Sequence, residues 1–163
     1  MPAKKQNCSE TELQIRFFTW IRRLALVDSR LHLIYSVPNE GPQSNTRRLK
    51  MYRMGLTRGV SDINVDLPSY DGKYGYLRIE LKSQIGRQSP DQANFQRLVT
   101  WYGGGKYVLC RSFDDIISEL TQYFGPLYNW DELYQKYATH DRMPASLRRN
   151  AKNNFQSIAD DFV

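Results

Sequence analysis

The chain is poor in the residue types that build several common kinds of site. Its 163 residues include two cysteines and two histidines, and neither pair has the spacing of metal ligands. Zinc hydrolases, histidine-based nucleases and disulfide scaffolds are therefore poor candidates. No apolar run approaches the length of a membrane span, and no signal-peptide core is found near the N-terminus. We therefore expect no membrane partner and a cytoplasmic location.

The chain has enough apolar residues for a core and an excess of basic residues. Hydrophobic residues make up 40% and aromatic residues 13% of the sequence, which is typical of one folded domain with a substantial core. The formal net charge is +6. A basic surface favours an acidic partner such as nucleic acid.

Hydrophobic periodicity and capping residues predict alternating helices and strands. The predicted elements, in chain order, are a helix opened by the Ser9–Glu12 capping box, a strand over 31–37, a helix over 46–54 stopped by Gly55, a hairpin of strands 59–65 and 76–82, a helix opened by Ser89-Pro90, a strand over 106–111 and a helix over 113–124. The strand–helix–strand crossover makes the last two strands parallel, which gives a mixed sheet flanked by helices. We therefore predict an α/β sandwich over residues 1–125, followed by a C-terminal helical extension over 126–163.

The predicted hairpin places acidic and basic side chains on one face of the sheet. Side chains alternate along a strand, so Glu80 and Lys82 lie on the face opposite their apolar neighbours. The turn signal at Asp71-Gly72 brings Asp62 of the first strand level with Glu80, within a residue of register. Two carboxylates and a lysine suit a divalent metal and an activated water. The alternative is a solvated surface with salt bridges.

At these residues the chain resembles the VRR-NUC domain family, a branch of the PD-(D/E)xK, restriction-endonuclease-like nucleases. The matching positions, in family order, are Glu10, the Pro38-Asn39-Glu40-Gly41 loop, Leu49-Lys50 followed by Gly55, Gly59-Val60-Ser61-Asp62, Ile79-Glu80-Leu81-Lys82, Gly86 with Ser89, and Gln92. The resemblance covers most of the chain, from about residue 9 to 124. The loop departs from the family pattern, which more often has Asn-Gly where this chain inserts Glu40. The resemblance implies a restriction-endonuclease-like fold.

The resemblance also implies a metal-dependent endonuclease that hydrolyses phosphodiester bonds in DNA. Asp62 and Glu80 would bind Mg²⁺ or Mn²⁺, helped by the backbone carbonyl of Leu81, and Lys82 would orient or deprotonate the attacking water. The carboxylates would hold Lys82 protonated, which leaves its role as a base open. Standalone family members resemble Holliday-junction resolvases of phages and bacteria. This implies branched DNA, a homodimer, and a bacterial or phage-infected host cell.

Two glutamates of the first helix compete for a further role in the site. Glu12 is explained by the capping box that it forms with Ser9. Glu10 precedes Leu13 by three residues and Phe17 by seven, which places it on the buried stripe that faces the sheet. We therefore predict Glu10 as a catalytic carboxylate that binds the metal or supports its ligands, and Glu12 as structural.

Gln92 has two interpretations. It lies three residues after Ser89, where a capping box explains it without catalysis. The family match instead places Gln92 among the catalytic residues, near the attacking water or the phosphate. The sequence does not decide between them.

A run of basic residues precedes the strand that carries Asp62. It comprises Arg47, Arg48, Lys50, Arg53 and Arg58, with no acidic residue between them. We interpret the run as a DNA-binding surface whose contacts to phosphates add affinity without reading sequence. The alternative is a solvated helix face. Among the aromatic residues, we expect Trp101, Tyr102 and Tyr107 to pack in the core rather than to stack on bases.

Two other functions stay open. One is a catalytically idle module for DNA binding or assembly, against which the intact Asp62, Glu80 and Lys82 argue. The other is a nuclease that acts on RNA or on single strands, and no feature of the sequence separates it from a nuclease for duplex DNA.

Overall fold

The architecture is a four-stranded mixed sheet with helices packed on it. A computed structural model describes residues 9–26, 28–37 and 44–129, without the side chain of Arg48. The α-helices of this part of the chain are α1 (Glu10–Ala25), α2 (Asn45–Arg53), α3 (Pro90–Trp101) and α4 (Phe113–Phe124). Its strands are β1 (Ile34–Tyr35), β2 (Ile63–Val65), β3 (Leu77–Leu81) and β4 (Lys106–Cys110). The strand order is β1-β2-β3-β4, antiparallel in the first two pairs and parallel between β3 and β4. The predicted α/β fold is confirmed.

The three long helices begin at serine caps, as predicted for Ser9 and Ser89. In α1 the hydroxyl of Ser9 accepts a hydrogen bond from the backbone N–H of Glu12 at 3.2 Å, and the Glu12 carboxylate accepts one from the Ser9 N–H at 2.8 Å. Ser89 and Ser112 cap α3 and α4 in the same way through their hydroxyls. Each cap satisfies N–H groups that the first turn of a helix leaves without a partner. The structural role predicted for Glu12 is confirmed.

All four strands are shorter than predicted, and two of them are much shorter. The strand expected over 31–37 begins as a 3₁₀ helix, Ser29–Leu33, and the extended part is β1 alone. The cause is Asp28, whose carboxylate accepts a hydrogen bond from the Arg30 N–H at 3.0 Å and so turns the chain. The strand expected over 59–65 is regular only in β2, because a turn around Gly59 precedes it.

The hydrophobic core lies between one face of the sheet and the helices α1 and α4. Its fully buried members include Phe17 of α1, Ile63 of β2, Ile79 and Leu81 of β3, and Ile116 and Leu120 of α4. Helix α3 lies on the opposite face of the sheet, where it contacts β4.

The expectation that three aromatic residues pack in the core is right for Tyr107, which is buried, and wrong for Trp101 and Tyr102. The last two are exposed because they lie at the end of α3, next to the turn over 103–105.

The described chain stays on the core past α4. The hydroxyl of Tyr128 donates a hydrogen bond to Asp28 at 2.6 Å, and its ring packs edge-on against Phe124. The predicted helical extension from 130 onward and the 38–41 loop lie outside the described residues. No helix in the described ranges is long and apolar enough to cross a membrane.

Gly59 lets the chain before β2 approach the start of α3 closely. Its φ is +75°, in the left-handed region that side chains disfavour. A Cβ at this position would lie 2.4 Å from the backbone carbonyl atoms of Asp91 and 2.7 Å from the backbone nitrogen of Gln92. The contact therefore requires glycine both for its backbone angle and for its lack of a side chain.

We predict that Gly59→Ala destabilises the protein by at least about 1 kcal/mol more than Gly55→Ala does, because only the first forces backbone atoms apart. The control is matched. Gly55 also has a positive φ, +96°, but an added Cβ there would meet nothing within 4 Å. Chemical denaturation of both variants measures the difference. Equal losses of stability would show that the contact between Gly59 and α3 is unimportant.

Candidate active site

The register of β2 and β3 brings the two predicted carboxylates together. Ile63 pairs with Ile79, so the next position outward sets Asp62 opposite Glu80. The backbone N–H of Leu81 donates a hydrogen bond to the Asp62 carboxylate at 2.7 Å. The predicted hairpin register is confirmed. The backbone of β3 holds the Asp62 side chain in place through this hydrogen bond.

Glu80 is fully buried, and its carboxylate is surrounded by donors. Lys82 Nζ lies 2.8 Å from Glu80 Oε1. The same oxygen accepts a hydrogen bond from Gln92 Nε2, and Oε2 accepts one from the Tyr107 hydroxyl at 3.1 Å. Lys82 is buried as well. The alternative of a solvated surface is therefore wrong for this pair, because α3 and β4 cover it.

Glu10 reaches the same cluster from α1. Its carboxylate accepts a hydrogen bond from the backbone N–H of Ser83 at 2.8 Å, and its other oxygen lies 3.9 Å from Lys82 Nζ. The helix-borne carboxylate therefore faces the end of β3, as its position on the buried stripe indicated. Lys82 is flanked by carboxylates from two separate elements.

Gln92 forms the predicted capping box, and its side chain also contacts Glu80. Its backbone N–H donates to the Ser89 hydroxyl at 3.2 Å, and its Oε1 accepts from the Ser89 N–H at 2.8 Å, which completes a capping box. The Nε2 of the same amide donates to Glu80. The cap fixes the amide so that its donor end points at the buried carboxylate.

The charges of the cluster shift its pKa values in opposing ways. Burial raises the pKa of Glu80 above its ordinary value, the hydrogen bond from Lys82 opposes this rise, and the charge of Asp62 adds to it. Burial would lower the pKa of Lys82, but the contact with Glu80 and the charges of Glu10 and Asp62 more than offset it. The net pKa of Lys82 is raised, so its ammonium form is favoured at neutral pH.

A cleft of about 540 Å³ opens beside this cluster. Its wall includes Glu10, Asp62 and Gln92 from the predicted site, together with Arg58 from the predicted basic run. Glu80 and Lys82 are buried and do not line the cleft. The cleft is the space from which a substrate would meet the carboxylates.

Among the basic residues of the run whose side chains are described, only Arg58 lines the cleft. Arg58 lines the cleft and also a groove formed with Leu49 and Tyr52 on the exposed side of α2. Arg47, Lys50 and Arg53 are exposed on α2 but do not line the cleft. The side chain of Arg48 lies outside the described structure. One of the five predicted cations is therefore placed at the cleft.

Two residues near the site were not predicted to be part of it. Tyr107 was assigned to the core, yet its hydroxyl donates to Glu80, and burial and the charge of Glu80 raise its pKa so that it stays a donor. Gln14 follows Glu10 by one helical turn, and its amide donates to Ser36 at 2.7 Å and to the Asp62 carbonyl at 3.3 Å. The four-residue spacing from Glu10 was the available signal for Gln14. For Tyr107 the available signal was a side chain with a polar hydroxyl within an otherwise apolar strand.

The carboxylate oxygens of the site are the type of ligand that a hard cation binds. Asp62 and Glu80 offer carboxylates from adjacent strands, the ligand type that Mg²⁺ and Mn²⁺ prefer. Within the described ranges, no group of three or more His, Cys, Asp or Glu side chains is arranged to hold a metal ion. Both Glu80 oxygens also carry protein donors. Glu80 would therefore have to exchange at least one of these donors to bind a cation.

The comparisons with known proteins concern this architecture. No protein-family model matches the chain, and no curated protein matches it. The class of fold, a mixed four-stranded sheet between helices, recurs among solved structures. One of them is described as a VRR_NUC domain protein, with a TM-score of 0.53 and 22% identity over 68% of this chain and 87% of that one. The chain therefore shares the fold of a VRR_NUC domain protein, which confirms the fold that the resemblance implied.

The raised pKa of Glu80 predicts a pH dependence of stability. A carboxyl whose folded pKa lies above its unfolded value, near 4.5, binds more protons in the folded state. The wild type should therefore lose stability relative to Glu80→Gln as the pH rises from 4.5 through the raised folded pKa, with a slope of up to about 1.4 kcal/mol per pH unit. Urea denaturation of both proteins at several pH values measures this difference.

An exposed carboxyl provides a control of opposite sign. The Ser69 hydroxyl lowers the pKa of Asp71 below its ordinary value of 3.8, so the wild type should lose stability relative to Asp71→Asn as the pH falls below that value. If Glu80→Gln instead shows a constant difference from the wild type across the range, the burial of Glu80 does not shift its titration as described.

Proposed function

We propose that the protein is a divalent-metal-dependent endonuclease that hydrolyses phosphodiester bonds in DNA. The observation that carries the proposal is the placement of Asp62 opposite Glu80, with Lys82 in contact with Glu80, beside a cleft. The likeness of the fold to a VRR_NUC domain protein supports it. Buried charges contribute little to the stability of a fold. A chemical role therefore explains this cluster better than stability does.

Asp62, Glu80 and the backbone carbonyl of Leu81 would hold the cation in this proposal, with Glu10 nearby on α1. A bound Mg²⁺ or Mn²⁺ supplies a water of lowered pKa and stabilises negative charge on the phosphate. Asp62 is prepared for this role because the Leu81 N–H already fixes its carboxylate. Glu80 is held in place by Tyr107 and Gln92, which act as positioning residues.

Lys82 acts in this proposal as a cation and not as the base that takes a proton from water. Its pKa is raised by the contact with Glu80 and by the charges of Glu10 and Asp62, so it holds its proton at neutral pH. An ammonium group next to the carboxylates can donate hydrogen bonds to a phosphate oxygen or to the attacking water. Its contact with Glu80 fixes where that donation is directed.

The family resemblance extends the proposal to branched DNA cut by a homodimer. Two copies would supply two active sites for the two strands of a junction. The basic residues on α2 and Arg58 would then contact phosphates on either side of the cut. The comparison of substrates given below tests the preference for branched DNA separately from the cleavage chemistry.

We predict that Asp62→Asn and Glu80→Gln each lower kcat/KM for DNA cleavage in Mg²⁺ by at least about 100-fold, since each removes a charged ligand from the site. The control is Asp66→Asn, which changes a hydrogen-bonded carboxylate just after β2, at the end opposite Asp62 and away from the cleft. It should cleave as the wild type does. Fluorescence anisotropy checks that all variants still bind DNA.

The choice among the rival functions comes from the substrates in the same assay. Linear, flapped and four-way DNA, single strands and RNA are compared in Mg²⁺, in Mn²⁺ and with a chelator. Cleavage of four-way DNA above the others supports the branched substrate, and preference for RNA or single strands overturns it. Binding without cleavage of any substrate, by the wild type and Asp62→Asn alike, would favour the non-catalytic module.

We predict that Arg58→Ala weakens DNA binding and lowers the magnitude of the salt slope, d log K/d log [salt], by about 1, because one phosphate contact is lost. Arg22→Ala is the control. Arg22 is exposed on α1, twelve residues after Glu10, and thus lies about 18 Å from it along the helix axis. Its removal should leave the slope unchanged. An equal change in both variants would mean that general charge, and not the cleft, accounts for binding.

A further inference from the structure

An apolar side chain stands in solvent beside the proposed catalytic centre. Ile85 lies in the loop between β3 and α3 and is 93% exposed, more than any other large hydrophobic residue of the described part of the chain. Leaving an isoleucine in water forgoes about 1.5–3 kcal/mol of burial. A single exposed apolar residue is ordinary on a protein surface. This one is distinguished by its place and by the loop that holds it.

The loop that carries Ile85 is fixed on both sides. Before it, the Ser83 N–H donates to Glu10 at 2.8 Å, and the Ser83 carbonyl accepts from Arg111. The Gln84 amide donates to the Arg111 carbonyl at 3.1 Å. After it, the Gly86 N–H donates to the Ser83 carbonyl at 3.1 Å, which closes a tight turn. Ile85 is therefore presented by an anchored turn.

Gly86 shows how closely this turn is packed against the site. A Cβ added to Gly86 would lie 2.9 Å from the Ser83 hydroxyl and 3.3 Å from a carboxylate oxygen of Glu10. Glu10, which contacts Lys82, thus also supports the turn. The position of the Ile85 tip is coupled directly to the candidate active site.

The chain length limits how far Ile85 can lie from the reacting groups. It follows Lys82 by three residues, so their Cα atoms are at most about 11 Å apart. Stacked base pairs rise about 3.4 Å each, so this distance corresponds to about three base pairs. Ile85 does not itself line the cleft, but Glu10, which holds the turn through Ser83, and Ser89, four residues further along, both do. A nucleic acid bound in the cleft would therefore run close to the turn that carries Ile85.

We infer that Ile85 is a wedge that inserts between bases of the substrate within about three base pairs of the cut. This inference rests on the proposed nuclease function. Apolar side chains used in this way unstack a base step and kink the duplex, at a cost that falls when the step is already unpaired. The exposed Arg87 next along the chain suits the phosphates that flank such a step. The wedge thus selects DNA that is easily opened at the cut.

The experiment uses the full chain and DNA duplexes that carry 2-aminopurine at each position around the mapped cut. Ca²⁺ replaces Mg²⁺ so that binding is observed without cleavage. Wild type should raise the 2-aminopurine fluorescence at one step, because unstacking relieves its quenching. Ile85→Ala should bind without this rise, and Ile85→Leu should retain it.

The kinetic arm compares paired and opened substrates in Mg²⁺. Ile85→Ala should lower kcat/KM for fully paired DNA by about 10-fold, a modest loss in line with an unstacking step. A mismatch at the same step should restore most of the loss. The control Ile15→Ala removes an isoleucine that is 62% exposed on α1, outside the turn that carries Ile85. It should match the wild type on both substrates.

The outcomes separate the wedge from the function on which it rests. If the wild type cleaves DNA but Ile85→Ala equals it in fluorescence and in rate on paired DNA, the wedge is wrong and the nuclease stands. A change in oligomeric state of Ile85→Ala with unchanged fluorescence also overturns it, because the residue would then join two copies of the chain. A wild type that binds DNA without cleaving it overturns the proposed function, and with it a wedge that is defined by its distance from the cut. A protein that binds no DNA overturns both.

Discussion

The candidate site depends on the burial of one ion pair, Glu80 with Lys82, at the end of β3. An ionised carboxylate with no exposed surface is unfavourable unless donors replace the water that it has lost. Lys82, Gln92 and Tyr107 supply three such donors from β3, α3 and β4. Removing one partner of a buried pair typically costs about 3–5 kcal/mol, while an apolar pair of similar size is often more stable. The pair is therefore better explained by chemistry than by the needs of the fold.

The surrounding elements are arranged around this pair. The antiparallel register of β2 sets Asp62 beside it, and the parallel register of β4 brings Tyr107 to the same face. Helix α1 begins at Glu10, whose carboxylate holds the end of β3 through Ser83. Helix α3 can cover the pair because Gly59 has no side chain where the two segments meet. One face of the sheet thus provides the core, and the other provides the site.

Much of this arrangement was accessible from residue patterns. Serine caps, the glycine after α2 and the turn at Asp71-Gly72 act locally, so they marked element ends and the hairpin register correctly. The short β1 was not foreseen, because the Asp28 side chain competes with the strand for backbone hydrogen bonds. The burial of Glu80 and the contact from Tyr107 were missed for another reason. They depend on how α3 and β4 pack across the sheet, which no local spacing reports.

The central claim is that Asp62 and Glu80 together form a metal-dependent cleavage centre. Crystals soaked in Mn²⁺ and measured at the manganese absorption edge test it most directly. The account predicts an anomalous peak within about 2.6 Å of carboxylate oxygens of both residues, with Lys82 or Gln92 displaced from Glu80. It also predicts that the peak is lost in Asp62→Asn. A peak elsewhere, or none at Mn²⁺ concentrations that support cleavage in solution, would contradict the account.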